Sequence, residues 1–262
     1  MLRPPVVESV KKLWDIWNIR GLIILSLFVQ SFLNLCAPLR RKRGDKWIVV
    51  SIWLTYLLAD WVATFTIGLM LRAKISDILA FWAPFLLLHL GGPDTITSFS
   101  LEDNEFWIRH LLGLMLQIGS TVYVILQSLP DNKLWLPTLL VLIAGIIKYA
   151  ERNRAFYLAS FDHFNELDER IIKNLLVGPL EHPQVRNIRR EFIKERGSEE
   201  VLQRLETELS LLYEALHTKL PVFYRRIGFV FRFISLCCIF GALLSFGLIT
   251  SPTTSWESLK FG

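Results

Sequence analysis

The chain has 262 residues, of which 52% are hydrophobic, 13% aromatic and 20% charged. With a mean hydropathy of +0.40, it is too apolar for an ordinary soluble domain, in which about 45–50% of residues are apolar. The formal net charge of +5 is modest, so the overall charge does not indicate a nucleic-acid-binding protein. The composition instead predicts an all-α polytopic membrane protein.

The hydrophobic residues are concentrated in runs of low charge, and a transmembrane helix needs about 20 mainly apolar residues. Hydropathy predicts six segments, 21–38, 47–71, 78–90, 111–130, 134–147 and 228–252. The third and fifth are short, and whether 78–90 fully spans stays open. We therefore expect about six transmembrane helices.

The predicted regions are an N-terminal segment 1–20, a membrane domain 21–150, a helical cytosolic region 151–227, the last helix and a tail 253–262. The first segment ends in a poor cleavage site, which favours a retained signal anchor.

Basic residues crowd the loop between the first two segments: Arg40, Arg41, Lys42, Arg43 and Lys46. Cytoplasmic loops are enriched in Lys and Arg, so this loop is expected in the cytoplasm and the N-terminus outside. A basic cluster between two spans is typical of a topology determinant beside anionic headgroups rather than of a nucleic-acid site. Six crossings would place 151–227 in the cytoplasm as well. If 78–90 only enters the membrane and returns, that region changes side.

Most of the remaining charge lies in 151–227, which we predict to be a helical cytosolic insertion. Ser198 can cap a helix whose first turn holds Glu199 and Glu200. Leucines recur along this helix every three or four residues: Leu202, Leu205, Leu209, Leu212, Leu216 and Leu220. The leucine stripe fits a short coiled-coil seam for protein partners, although packing against the protein's own helices is the simpler interpretation.

Asp60 lies inside the second segment, where an ionised Asp costs about 2.5–3.5 kcal/mol and so faces a bundle interior, a cavity or a partner. Tyr56 and Thr64 are each four residues away and would share its helix face, so their hydroxyls could bond the carboxylate. This intramembrane polar site favours a contact that fixes helix packing over an ion- or proton-binding position. Arg232 has the right charge but lies roughly 12 Å shallower and is expected to snorkel.

Acids and histidines also flank the turn after the third segment: His89, Asp94, Glu102, Asp103, Glu105 and His110. Gly91 and Gly92 permit a tight turn there. Such oxygen-rich side chains could hold a hard cation, but their spacing fits no EF-hand loop. Capping of a turn and of the next helix is the simpler interpretation of this juxtamembrane acidic cluster.

No other feature predicts catalysis. Cys36, Cys237 and Cys238 lack metal-ligand spacing, and the chain contains no nucleophile elbow, phosphate-binding loop or dinucleotide fingerprint. The pairs Glu151–Arg152 and Asp162–His163 resemble surface pairs that follow a span. We expect no enzymatic activity, cofactor or metal.

Four segments point to a family: Phe81–Thr97, Ser100–Leu111, Ala144–Arg152 and Glu208–Lys219. The first, which contains Leu90-Gly91-Gly92-Pro93-Asp94-Thr95, resembles the signature of a plant membrane-protein family known as domain of unknown function 4220. The resemblance covers nearly the whole chain. It implies a plant integral membrane protein without established activity or catalytic residues. Longer relatives carry a second, C-terminal domain, so the resemblance implies a short form or a truncated gene model.

Two functions remain open. The favoured one is a non-enzymatic scaffold that contacts membrane lipids and binds protein partners through 151–227, without nucleic acid. The alternative is an ion or small-solute channel or transporter that uses the buried polar face around Asp60. The sequence indicates a multi-pass integral membrane protein and does not distinguish the plasma membrane from an endomembrane.

Overall fold

The computed structural model describes residues 5–42, 45–73, 76–129, 132–160, 198–223 and 226–250, and these ranges contain helices and loops but no strand. The helices are α1 (Pro5–Cys36), α2 (Leu39–Lys42), α3 (Lys46–Met70), α4 (Asp77–Leu90), α5 (Leu101–Glu105), α6 (Trp107–Ser128), α7 (Trp135–Ala159), α8 (Ser198–His217), α9 (Leu220–Phe223) and α10 (Arg226–Ile249). The all-α prediction is confirmed. The Asp162–His163 pair and the tail 253–262 lie outside the described residues.

Four helices are long and apolar enough to cross a membrane. They are the Trp17–Cys36 part of α1, α3, α6 and the Gly228–Ile249 part of α10. Helix α4 is apolar but has only 14 residues, so it reaches about 21 Å, short of a hydrocarbon core of about 30 Å. Six crossings therefore remain a prediction.

Helix α7 is longer than hydropathy indicates. The predicted segment ended at 147, whereas the helix continues to Ala159 and passes through the predicted boundary at 150. Glu151, Arg152 and Asn153 extend it, and all three are buried. Hydropathy ends a segment where charges begin, because it cannot distinguish a charge that faces water from one that protein covers.

Helices α4 and α7 pack closely at the centre of the bundle. Ala80, Ala83, Leu86 and Leu87 give α4 a fully buried face. At Gly145 of α7, an added Cβ would lie 3.2 Å from the carbonyl oxygen of Pro84 and 3.2 Å from the amide nitrogen of Leu88. The two backbones are therefore nearly in contact, and a glycine permits this approach.

The loops meet at two ends of the bundle. At one end, Arg40 Nη2 donates to the carbonyl of Phe99 at 2.8 Å, and the amide of Thr97 donates to the carbonyl of His217 at 2.7 Å. At the other end, the amide of Lys133 donates to Asp77 Oδ2 at 3.2 Å. The α2 loop, the α4–α5 loop and the α8–α9 junction thus share one end, and the connections that precede α4 and α7 share the other.

Candidate functional site

The candidate site begins where α4 ends, inside the bundle. Gly91, Gly92 and Pro93 follow the helix and are buried, and Gly92 has a φ of +63°, a conformation that glycine adopts without strain. A helix C-terminus leaves carbonyl groups without intrahelical donors. Buried irregular backbone at membrane depth must find its hydrogen bonds within the protein.

Side chains from three other parts of the chain supply these donors. Gln30 Nε2 of α1 donates to the carbonyl of His89 at 2.9 Å, and Arg152 Nη1 of α7 donates to that of Leu90 at 2.7 Å. Lys219 Nζ, between α8 and α9, donates to the carbonyls of Gly91 and Gly92 at 2.7 and 3.1 Å. We call these four carbonyls and their three donors the carbonyl cap of α4. Its two cations also complement the negative end of the helix dipole.

Arg152 neutralises the carboxylate of Asp60. Its Nη1 and Nη2 donate to Asp60 Oδ1 and Oδ2 at 2.7 and 2.9 Å, a bidentate pair in which the Arg152 side chain is 4% exposed and the Asp60 side chain 36%. The guanidinium carbon lies 5.4 Å from the centre of the Tyr56 ring and 5.5 Å from that of Phe156. The prediction that Arg152 forms a surface pair is wrong, because α7 carries it into the bundle.

The two hydroxyls that flank Asp60 in sequence do not bond it. Tyr56 is buried, and its hydroxyl donates to the carbonyl of Thr97 at 3.2 Å. Thr64 is exposed on the outer side of α3. The three residues are aligned along the helix, but Tyr56 is buried, Asp60 is partly buried and Thr64 is exposed. Arg152, and not either hydroxyl, is the partner of the Asp60 carboxylate.

Lys219 belongs to a second ionic network. The side chain is fully buried, and its Nζ lies 3.3 Å from Asp94 Oδ1. Asp94 Oδ2 lies 2.6 Å from Arg232 Nη2, and Arg232 Nε lies 4.0 Å from Glu151 Oε2. Snorkelling of Arg232 stays a prediction, whereas its pairing with Asp94 is a contact that the sequence analysis did not name. Its exclusion as the partner of Asp60 agrees with the structure.

Burial and neighbouring charges together set the charge state of this network. It lowers the pKa of Lys219 to about 7, although the Asp94 carboxylate opposes the shift. The neutral amine keeps two N–H donors, so Lys219 can cap both carbonyls in either charge state. Burial alone would raise the pKa of Asp94, but Lys219, Lys148 and Arg232 together outweigh it and lower this pKa. Asp94 therefore stays ionised at neutral pH.

The six residues of the juxtamembrane acidic cluster are not brought into one site. Asp103 Oδ2 accepts from the amides of Phe99 and Ser100 at 3.0 and 3.1 Å, at the start of α5. His89 Nδ1 lies 2.8 Å from Ser26 Oγ, and His110 stacks on Phe156 with ring centres 4.4 Å apart. Glu102 and Glu105 are exposed, and Asp94 joins the lysine network. Over the ranges that the structure describes, no group of three or more His, Cys, Asp or Glu residues could hold a metal ion.

The chain was also compared with known proteins. Residues 53–170 and 169–258 match the family described as Domain of unknown function (DUF4220). The chain belongs to this family. No curated protein and no solved structure matches it. Each of the four segments that carry the DUF4220 resemblance holds a residue of the site or of the loops beside it. These residues are Gly91 and Gly92, Asp103, Arg152 and Lys219.

Arg152 and Lys219 of this DUF4220 chain are site residues that the sequence did not predict. A signal was present for Arg152, because an intramembrane carboxylate calls for a counter-charge and Arg152 follows an apolar segment directly. For Lys219 the sequence offers no comparable signal. It follows a charged amphipathic helix, where an exposed lysine is the usual outcome.

Proposed function

We propose that this protein is a non-enzymatic, multi-pass membrane scaffold whose internal charges hold its helices together. The end with the α2 loop, the α4–α5 loop and the α8–α9 junction, here called the loop end, presents α8 to protein partners. Six segments would enter or cross the membrane, with the loop end in the cytoplasm as the basic residues around Arg40 favour. The N-terminus and the end of α10 would lie on the opposite side.

The observation that carries the proposal is the engagement of Asp60 by Arg152. Both carboxylate oxygens accept from one guanidinium, which itself caps α4. In the neighbouring network Asp94 is shared between Lys219 and Arg232. A carboxylate that serves ion transport needs an exchangeable ligand position in a polar pathway. Here the charges connect α3, α4, α7, α10 and the α8–α9 junction, an arrangement that supports a structural role.

Helix α8 suits a platform because one end is fixed and several of its leucines are exposed. Ser98 Oγ and Asn104 Nδ2 donate to the carbonyl of Leu216 at 3.0 and 3.2 Å and hold the C-terminal end. Three leucines of the stripe, Leu202, Leu209 and Leu212, are 61%, 57% and 40% exposed against the described part of the chain. Leu216, by contrast, is partly buried. The anchored end fixes the direction in which the stripe points.

Substitution of these three leucines tests the platform. The variant Leu202→Gln, Leu209→Gln, Leu212→Gln is expected to lose at least about tenfold of partner recovery in quantitative affinity purification from the native membrane, because truncation of interface anchors costs over about 1 kcal/mol each. Deletion of all of α8 is unsuitable, since it removes the contacts of Leu216. The matched control is Gln203→Ala with Glu206→Ala on the same helix. Unchanged recovery with the triple variant would refute the platform.

The channel or transporter alternative has one observation in its favour. The Asp60 side chain is 36% exposed and borders a shallow surface depression with Trp61, Thr64 and Phe65. Reconstituted into liposomes, the wild-type protein is expected to give no cation or proton flux above that of empty liposomes. A flux that Asp60→Asn abolishes would replace the scaffold proposal with transport.

A further inference from the structure

The outer face of α3 carries polar groups at a depth where lipid offers no hydrogen bonds. At 1.5 Å per residue, Asp60 lies about 21 Å from Lys46 and about 15 Å from Met70 along the helix. Asp60, Trp61, Thr64 and Phe65 line the shallow depression on this face. We call these four residues together with Gly68 the α3 outer patch.

Asp60 has acceptor capacity beyond its internal pair. Each oxygen accepts one N–H from Arg152, and a carboxylate has about four lone-pair positions, so about two remain. The exposed part of the side chain faces outward, beside the exposed Thr64. An acceptor left unsatisfied against hydrocarbon is costly, which favours a donor from outside the chain.

Thr64 adds an unused donor. Elsewhere on α3 the hydroxyls bond their own helix: Ser51, Thr55 and Thr66 each donate to the carbonyl four residues earlier, at 2.8, 2.7 and 2.6 Å. Within the described residues Thr64 makes no such bond, although it has the same type of side chain in the same helix. The patch therefore presents an acceptor and a donor one turn apart, about 6 Å along the axis.

The shape of the patch suits a second helix. Trp61 and Phe65 stack with ring centres 4.9 Å apart and form one wall. A Cβ built on Gly68, one turn beyond Thr64, would meet nothing within 4 Å. Small residues at this spacing let another helix backbone approach closely in a membrane. An acyl chain could fill the same space but would leave Asp60 and Thr64 without partners.

We infer that the α3 outer patch docks a transmembrane helix of a partner protein that carries an Asn or Gln side chain at mid-bilayer depth. The carboxamide nitrogen donates to Asp60 and its oxygen accepts from Thr64, which uses both free positions with one side chain. The inference rests on the proposed scaffold role and adds the kind of partner. It concerns the membrane-embedded face and not the leucines of α8.

The test measures association with model peptides in phosphatidylcholine vesicles. Full-length protein carrying a terminal fluorophore is titrated with a Leu/Ala transmembrane peptide that holds one central Asn, and energy transfer is recorded. The expected affinity is about threefold to tenfold tighter than for the same peptide with Leu in place of Asn. Moving the Asn two turns toward the peptide end is expected to abolish the difference.

Matched variants of the protein separate the patch from the fold. Thr64→Val is expected to bring the Asn and Leu peptides to within about twofold of each other, because it removes the donor while keeping the shape. Thr55→Val, which removes a hydroxyl already bonded to its own helix, is expected to keep the full preference. Because Thr64 is exposed and bonds nothing in the described chain, its loss should leave folding intact.

Three results would overturn the inference. Equal affinity for the Asn and Leu peptides, or a preference that Thr64→Val leaves at its full size, would show that the patch does not bind the carboxamide. Self-association of the protein that Thr64→Val removes would assign the patch to a second copy. Loss of the preference on addition of diacylglycerol would assign it to a lipid hydroxyl. None of these results changes partner recovery through α8, so failure here is distinguishable from failure of the scaffold proposal.

Discussion

Arg152 joins the Asp60 carboxylate of α3 to the C-terminal end of α4. It bonds Asp60, caps Leu90 and lies beside the rings of Tyr56 and Phe156. Desolvation of a guanidinium is expensive and is offset only when every strong contact is in place. Single removal of either partner therefore leaves a charge that the bundle cannot stabilise.

Arg152→Leu is expected to destabilise the protein by about 3 kcal/mol, the lower end of the range for breaking a buried pair because Asp60 is partly exposed. The double variant with Asp60→Leu should recover part of this loss, since no unpaired charge remains. Thermal unfolding in detergent micelles measures both. The control is Arg109→Leu, an exposed arginine whose guanidinium lies 4.6 Å from the centre of the Phe106 ring. Equal unfolding temperatures for Arg152→Leu and Arg109→Leu would contradict the assigned role.

The sequence predicts the existence of a polar contact at Asp60 but not its partner. A carboxylate inside an apolar segment indicates that a polar partner is needed. Its counter-ion is 92 residues away in the chain, and local spacing carries no information over that separation. The nearby hydroxyls of Tyr56 and Thr64 were the only partners that helix periodicity could propose.

At the scale of elements, the contact of α4 with α7 is the place where two helix backbones approach closely beside a glycine. Pro84 removes a backbone donor inside α4, and Gly145 faces its carbonyl oxygen at close range. Hydropathy located both segments but treated them as marginal, because each is short. Only α4 is short as a helix, with 14 residues. The fifth segment is the apolar part of the 25-residue α7, and the buried charges from Glu151 onward lie beyond it.

Gly145→Ala is expected to destabilise the protein by about 1–3 kcal/mol, because the new Cβ meets backbone atoms of α4 that cannot move independently. The matched control is Gly119→Ala in α6, where a Cβ would meet nothing within 4 Å. There the higher helix propensity of alanine should leave stability unchanged or raise it by up to about 1 kcal/mol. Chemical or thermal denaturation in one detergent compares the two. Equal effects of the two substitutions would refute the close approach.

At the scale of the whole molecule, the alternation of loops between the two ends gives a prediction about sidedness. Asp45 and Glu102 are exposed at the loop end, and Lys133 is exposed at the opposite end. In a variant whose native cysteines are replaced by serine, Asp45→Cys and Glu102→Cys should react with a membrane-impermeant maleimide from one side of sealed vesicles. Lys133→Cys should react only from the other side. Labelling of Asp45→Cys and Lys133→Cys from the same side would exclude the six-segment arrangement.

The architecture could be predicted further than the site. Blocky hydropathy is sufficient to identify helical membrane segments, and the positive loop around Arg40 is sufficient for a sidedness hypothesis. Neither hydropathy nor charge is sufficient to show that the chain after α8 returns into the bundle. Lys219 is brought into the bundle because the amide of Thr97 bonds the carbonyl of His217, two residues before it. This contact joins main-chain atoms, so the pattern of side chains does not predict it.

The carbonyl cap also has a consequence for the order of biosynthesis. Gly91 and Lys219 are 128 residues apart, and a ribosome adds about 5–20 residues per second, so the lysine follows the glycine by roughly 6–26 s. During that interval α4 can already have left the translocation machinery, while the carbonyls of Gly91 and Gly92 have no donor from their own chain. The nascent bundle must keep this end hydrated or shielded by another protein until α8 and α9 are made. The last third of the chain thus completes the polar contacts of helices synthesised well before it.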